Sequence, residues 1–227
     1  MSALSDLIYD TASGISYRTA QPAPEKPQRL LVLLHGVHSN EESLRKLASG
    51  APEDTLVVVA RGPLLLDAQA FAWFHVEFGG DGPTIVAEEA EAARKKLIIL
   101  LQSLHSHYGL SSANTTLAGF SQGGIMSASV ALSSPASVGR FGLMSGRILP
   151  EVIPHVAKKA DLVPLRGFVS HGEDDAVLSV DWAVRSNALL DELEVQHEYH
   201  LYPADHEITE AMQNDFYAWL SSGAQSR

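Results

Sequence analysis

Thr115-Thr116-Leu117-Ala118 runs into Gly119-Phe120-Ser121-Gln122-Gly123 and then into Gly124-Ile125-Met126-Ser127-Ala128-Ser129-Val130-Ala131-Leu132. This is an apolar strand, a tight turn and a helix start, the setting in which a G-x-S-x-G turn exposes a serine hydroxyl at the edge of a sheet. Glycines on both sides of Ser121 let strand and helix approach closely. The helix start adds free backbone N–H groups and a positive dipole end, both suited to a developing oxyanion. A glycine-rich turn without chemistry satisfies the same short pattern, so the rest of the chain has to supply partners.

Upstream, Arg29-Leu30-Leu31-Val32-Leu33-Leu34 reads as a fully buried strand ending at His35-Gly36-Val37-His38. Ser39-Asn40-Glu41-Glu42 fits a capping box that opens a helix to about Ala48. Thr55 to Ala60 is another continuous β-branched run, typical of a parallel sheet covered on both faces. Residues 61–83 form a long segment without clear periodicity, carrying Leu64, Leu65, Leu66, Phe71, Trp73, Phe74 and Phe78. Some of these belong in a core and the others can line a groove for an apolar substrate. Thr84 to Tyr108 has helical spacing and Gly109 ends it. The first two dozen residues predict an edge hairpin around Gly14, followed by a proline-rich loop over 21–27.

Downstream, Arg140–Ser145 and Leu165–Ser170 read as strands with room between them for about one short helix, so no separate cap domain fits there. Ser179 to Leu193 is helical, His197 to Tyr202 a last strand, and about Glu207 to Leu220 a last helix with Ile208, Met212, Phe216 and Leu220 on one stripe. The alternation predicts an α/β fold with a mainly parallel central sheet flanked by helices, whose ligands bind at the carboxyl ends of strands.

The length, 227 residues, suits one domain over 1–227. A formal net charge of −11 argues against nucleic acid and anionic membranes as partners. With no cysteine there is neither a disulfide framework nor a thiol nucleophile. The amino terminus lacks the regions of a signal peptide and Leu97–Leu101 is too short to span a bilayer, so a cytoplasmic protein without stable membrane insertion is expected. No signal bears on oligomeric state. The histidines show no compact ligand spacing: His105 and His107 do not share a helix face, and His197 and His200 point to opposite faces of a strand. No metal and no cofactor are expected.

Ser121, His206 and the acidic run Glu173-Asp174-Asp175 each follow a predicted strand and can project from one sheet edge. The chemistry needs all three types of group. A serine hydroxyl is a weak nucleophile until an imidazole takes its proton, and a carboxylate holds that imidazole in the right tautomer. Spacing leaves open which of the three carboxylates serves. Oxyanion donors are expected from the backbone N–H groups of Val37 and Gln122. As both donors are backbone groups, substituting the Gln122 side chain is expected to do little chemically.

Leu34-His35-Gly36-Val37, Ala72-Trp73-Phe74, Gly119-Phe120-Ser121-Gln122-Gly123-Gly124, Leu143-Met144-Ser145-Gly146, His171-Gly172-Glu173-Asp174-Asp175 and His206 occur in this order. Together they resemble the phospholipase/carboxylesterase family of small α/β-hydrolases, which includes acyl-protein thioesterases and cap-less bacterial carboxylesterases. The resemblance implies the α/β-hydrolase fold, Ser121 as nucleophile, Asp175 as acid, His206 as base, Val37 and Gln122 as oxyanion donors, and Trp73 bordering an acyl groove. Phe74 and Leu66 are further groove candidates. His75, where family members usually carry Asp, would change the polarity of that groove.

Two more departures, Leu178-Ser179 for Val-Pro and Asp205 for Gly, bear on the substrate and leave hydrolysis intact. Asp205 can either raise the imidazole pKa or serve as a solvated turn residue. The function implied is a serine hydrolase that cleaves small-molecule carboxylic esters through an acyl-enzyme. Acyl thioesterase or lysophospholipase activity is the alternative, and a non-catalytic ligand-binding protein on the same fold a more distant one.

Overall fold

The computed structural model describes residues 3–79 and 82–222. The ends of the predicted 1–227 domain, Gly80-Asp81 of the predicted loop and the Phe78 side chain lie outside the described residues. The strands are β1 (Ala3–Leu4), β2 (Ile8–Asp10), β3 (Ile15–Gln21), β4 (Arg29–Leu34), β5 (Thr55–Ala60), β6 (Leu64–Asp67), β7 (Ala70–Ala72), β8 (Val76–Gly79), β9 (Gly82–Ile85), β10 (Thr115–Phe120), β11 (Arg140–Met144), β12 (Arg166–Gly172) and β13 (Gln196–Tyr202). The α-helices are α1 (Arg45–Ala48), α2 (Ala87–Tyr108), α3 (Gln122–Ser133), α4 (Lys159–Leu162), α5 (Asp181–Glu192) and α6 (Glu210–Ser222).

The described residues form a nine-stranded sheet in the order β1-β3-β5-β4-β10-β11-β12-β13, with β2 also on β3. From β5 to β13 all pairings are parallel. The amino-terminal strands are antiparallel, β2 and β3 forming the expected hairpin around Gly14. The inner strands lack polar alternation because both faces are covered: Leu30, Val32 and Leu34 pack with Leu97, Leu101 and Val130 on one side. Leu31 and Leu33 pack with Leu47, Phe216 and Trp219 on the other. This is the α/β-hydrolase arrangement, and among the described residues no separate cap interrupts it. Between β11 and β12 lie only a short 3₁₀ segment, Pro150–His155, and α4. No helix among the described residues is long and apolar enough to cross a membrane.

Three local expectations are corrected. The Ser39–Glu42 capping box does not form, and the helix starts only at Arg45. Glu41 turns inward instead, accepting hydrogen bonds from Arg18 at 2.9 Å and from Arg61 at 2.7 and 2.6 Å. Burial alone would raise this carboxyl, but the two guanidinium groups outweigh it and set its pKa at about 2. Residues 61–83 are not an unstructured loop: β6 pairs with β7 and β8 with β9 as two small hairpins, so α2 starts at Ala87 and Thr84 belongs to a strand. Their strands are short and one carries a register shift at Leu65/Asp67, which destroys any periodic signal. Finally, α6 starts at Glu210 rather than Glu207, and Thr209 Oγ1 accepts the Met212 N–H at 3.2 Å, an N-cap contact that leaves residues 205–208 as a loop.

Candidate active site

Ser121 joins β10 to α3 with φ 53° and ψ −119°, a backbone conformation that L-residues rarely adopt. Such strain costs on the order of 1–3 kcal/mol and persists only where the surroundings over-determine it. Here they do. The Ser121 N–H continues the parallel ladder onto Met144 O at 2.8 Å, and the Ile125 N–H returns to Ser121 O at 3.0 Å. The flanking glycines are required by space: a Cβ on Gly119 would lie 2.3 Å from the Gly123 carbonyl carbon, and one on Gly123 would lie 2.0 Å from Leu34 O. The elbow is thus wedged between its own helix and the end of β4.

His206 comes from the loop between β13 and α6. Its Nε2 accepts from Ser121 Oγ at 3.0 Å and its Nδ1–H donates to Asp175 Oδ2 at 2.7 Å. The ring leans on Phe120 with centroids 4.8 Å apart. Of the three adjacent carboxylates only Asp175 is buried; Glu173 and Asp174 are exposed. Asp175 Oδ1 accepts the N–H groups of Val177 at 2.9 Å and Leu178 at 2.7 Å. His171 Nε2, fully buried, stands 3.2 Å from Asp175 Oδ2 and 2.8 Å from Leu178 O. Burial pushes the Asp175 carboxyl up, but the hydrogen bonds from His171, His206 and the Leu178 N–H outweigh it and hold the group ionised, well below the usual carboxylate range. Asp205 Oδ1 accepts from Ala176 N at 2.9 Å and from His206 N at 2.7 Å, tying the Asp175 loop to the His206 loop.

Val37 and Gln122 line the same cavity as Ser121. Among the described residues neither backbone N–H has a hydrogen-bond partner, so both remain available to an incoming oxygen. The Gln122 side chain, in contrast, is fully engaged: Oε1 accepts the Trp73 N–H and Nε2 donates to Phe74 O, each at 2.7 Å. It splints the β7–β8 connection to the start of α3, a role that the sequence reading did not assign.

Of the groove candidates, Phe74 lines this cavity. Trp73 is fully buried behind it, its Nε1–H donating to His35 O at 2.9 Å. His75 points outward and pairs with Glu89 at 2.8 Å. Leu66 is half-buried on β6, away from the cavity lining. His35 is structural: Nδ1–H donates to Gly36 O at 2.7 Å and Nε2 accepts the Gly62 N–H at 2.9 Å. Burial lowers its pKa to about 4, which keeps it neutral. Among the described residues no group of three or more His, Cys, Asp or Glu is placed to hold a metal ion.

His171, the Gln122 splint and Arg147 on the cavity wall are the residues that sequence reasoning missed. Only His171 carried a signal, its position four residues before Asp175.

Residues 17–222 match the profile of the phospholipase/carboxylesterase family. No curated protein matches the chain by sequence. Among solved structures, a carboxylesterase from Mesorhizobium loti superposes with a TM-score of 0.81 at 21% identity, covering 96% of this chain and 99% of that one. The Bacillus cereus carboxylesterase gives 0.78 at 20% identity over 92% and 94%. SOBER1 of Arabidopsis thaliana gives 0.76 at 18% over 87% and 100%. At these identities the structures establish likeness of fold.

Proposed function

The chain belongs to the phospholipase/carboxylesterase family and is a carboxylesterase-type hydrolase, and we propose that it cleaves carboxylic esters through Ser121, His206 and Asp175 acting as one unit. One observation carries the assignment: a single imidazole bridges Ser121 Oγ at 3.0 Å and a buried carboxylate at 2.7 Å. We further propose that residues 1–227 belong to one α/β-hydrolase domain.

In the first step Ser121 Oγ bonds to the ester carbonyl carbon while its proton passes to His206 Nε2. The carbonyl oxygen becomes an oxyanion, received by the N–H groups of Val37 and Gln122 at the positive end of α3. The tetrahedral intermediate collapses, the bond to the alkoxy oxygen breaks and the Nε2 proton leaves with the alcohol. Water then attacks the acyl-serine carbonyl, losing a proton to Nε2; the bond from the acyl carbon to Ser121 Oγ breaks, Oγ takes that proton back and the acid departs. Asp175 takes no proton. It keeps the Nδ1–H tautomer and stabilises the imidazolium, its own pKa held well below the usual carboxylate range by the hydrogen bonds it accepts.

The test is hydrolysis of p-nitrophenyl esters of two to about twelve acyl carbons, with a fluorophosphonate probe as titrant. Turnover and labelling are expected in the native protein and lost together in Ser121→Ala. Unchanged turnover in Ser121→Ala would refute the mechanism.

A further inference from the structure

After β11 the chain turns at Ser145, with φ 47°, and passes so close beneath the elbow that a Cβ on Gly146 would lie 3.0 Å from Ser121 O. The turn carries Arg147 into the wall of the cavity that holds Ser121. Apart from Ser121 and Gln122, the rest of that wall is apolar, with Val37, Phe74, Val76, Ile85, Ile125 and Leu178 among its residues.

Arg147 is only 5% exposed. Its Nη2 donates to Pro83 O at 3.2 Å and the guanidinium stacks on Trp182, 4.5 Å from the ring centroid. Nε is buried with no hydrogen-bond partner. Burial disfavours the charged form, and although the field of Glu151 opposes this, the two form no ion pair. Among the described residues no carboxylate neutralises Arg147.

A buried cation without a counter-ion is costly. Packing on Trp182 and one carbonyl contact explain why the side chain is ordered, but an aliphatic residue would pack as well. They do not explain a buried charge with an unpartnered donor on a residue that lines the nucleophile's cavity. A ligand carboxylate does, because a guanidinium edge binds it through paired, charge-assisted hydrogen bonds.

We propose that Arg147 is a specificity-determining residue, and that the substrate is an ester bearing a carboxylate within a few carbons of the scissile carbonyl. The inference rests on the serine-esterase reading above. The carboxylate can sit on the acyl side, as in a monoester of a short dicarboxylic acid, or on the alcohol side, as in an ester of a hydroxy acid. With a formal net charge of −11 the wider field repels anions, so the preference arises locally and survives added salt, which screens distant repulsion more than a buried contact.

The experiment is kcat/KM by pH-stat on two matched pairs: ethyl hydrogen glutarate against ethyl valerate, and butyryl glycolate against propyl butyrate. On one pair the native protein is expected to favour the anion by at least about tenfold. That ratio should fall about tenfold or more in Arg147→Met and be partly kept in Arg147→Lys. The responsive pair identifies the side that carries the carboxylate. Native ratios near one on both pairs, or a ratio unchanged in Arg147→Met, overturn the inference.

Competitive inhibition of the native protein by glutarate against glutaramide reads the same site should a variant fail to fold. Tighter binding of the dicarboxylate by about tenfold supports the inference and equal binding overturns it. Turnover retained in Ser121→Ala would instead refute the serine mechanism. Neutral esters cleaved through Ser121, with no dependence on Arg147, would refute only the carboxylate preference.

Discussion

The sheet carries buried or half-buried arginines at both of its ends. At the amino ends of the strands, Arg140 Nη1 donates to Leu220 O at 2.9 Å and lies 4.4 Å over the Trp219 ring. Arg29 reaches the same carbonyl and pairs with Asp54. Arg166 donates to Val163 O and Leu165 O at 2.9 and 3.0 Å. These cations finish the carboxyl end of α6 and a loop, where carbonyls lack partners and the dipole is negative. Beside them a broad groove opens, bordered by Arg140, Asn187, Asp191 and His197. It is wider than the cavity at Ser121; among the described residues His197 Nε2 pairs there with Asn187 Oδ1 at 2.9 Å, while the buried Tyr199 hydroxyl has no partner. At the carboxyl ends the space is tighter, and it brings the Ser121 hydroxyl, already bonded to His206, together with two backbone N–H groups that have no partner among the described residues, on a wall that includes Arg147. The difference teaches that reactivity follows an activated nucleophile placed beside free donors, and the size of a hollow does not mark it.

The comparison breaks if activity depends on the amino end. Ser121→Ala is expected to lower kcat/KM by about 1,000-fold or more, whereas Arg140→Ala stays within about threefold, both read from initial rates on one p-nitrophenyl ester. Next in size is the splint. Gln122→Ala orphans a buried N–H and a buried C=O, so a loss of about 2–4 kcal/mol is expected in urea unfolding. Gln122→Glu keeps the acceptor for the Trp73 N–H but sets a buried carboxylate oxygen against Phe74 O, so it should cost at least as much.

A third test sharpens the view of the carboxyl end by separating its supporting histidine from its reacting one. His35 has a folded pKa of about 4 against 6.5 unfolded. The unfolded chain binds the extra proton in this window, so the contribution of His35 is complete above pH 6.5 and is lost as pH falls towards 4. His35→Gln should flatten the stability–pH curve there by up to about 1.4 kcal/mol per pH unit. The loss below pH 4.5 that comes from Glu41, whose folded pKa is about 2, should remain. Smallest is the stability change in Arg140→Ala, about 1 kcal/mol from the carbonyl and ring contacts, seen as a lowered Tm.

How much of this was legible in the sequence depends on what each residue's role requires. Leu30–Leu34 and Thr55–Ala60 read as inner strands because a strand covered on both faces has to be apolar throughout. Ser121 and its glycines read as an elbow because only that composition fits the approach to Leu34 O. Asp175 was not separable from Glu173 and Asp174 by spacing, since three consecutive carboxylates differ only once the fold buries one. The two hairpins within 64–85 were hidden because their placement rests on distant partners, among them the Gln122 amide and the bond from Phe71 N to Ser39 O. Arg147 looked like any loop arginine, as nothing local says that a cation is enclosed.

The left-handed backbone at Ser121 also sets robustness against reactivity. Its φ of 53° is one that glycine adopts freely and serine does not, so the most reactive atom sits on one of the least comfortable residues. Selection for heat resistance alone would place glycine there and yield a sturdier but inert protein. Keeping a serine at that turn means that part of the fold's cohesion is continually given up to hold one hydroxyl in place.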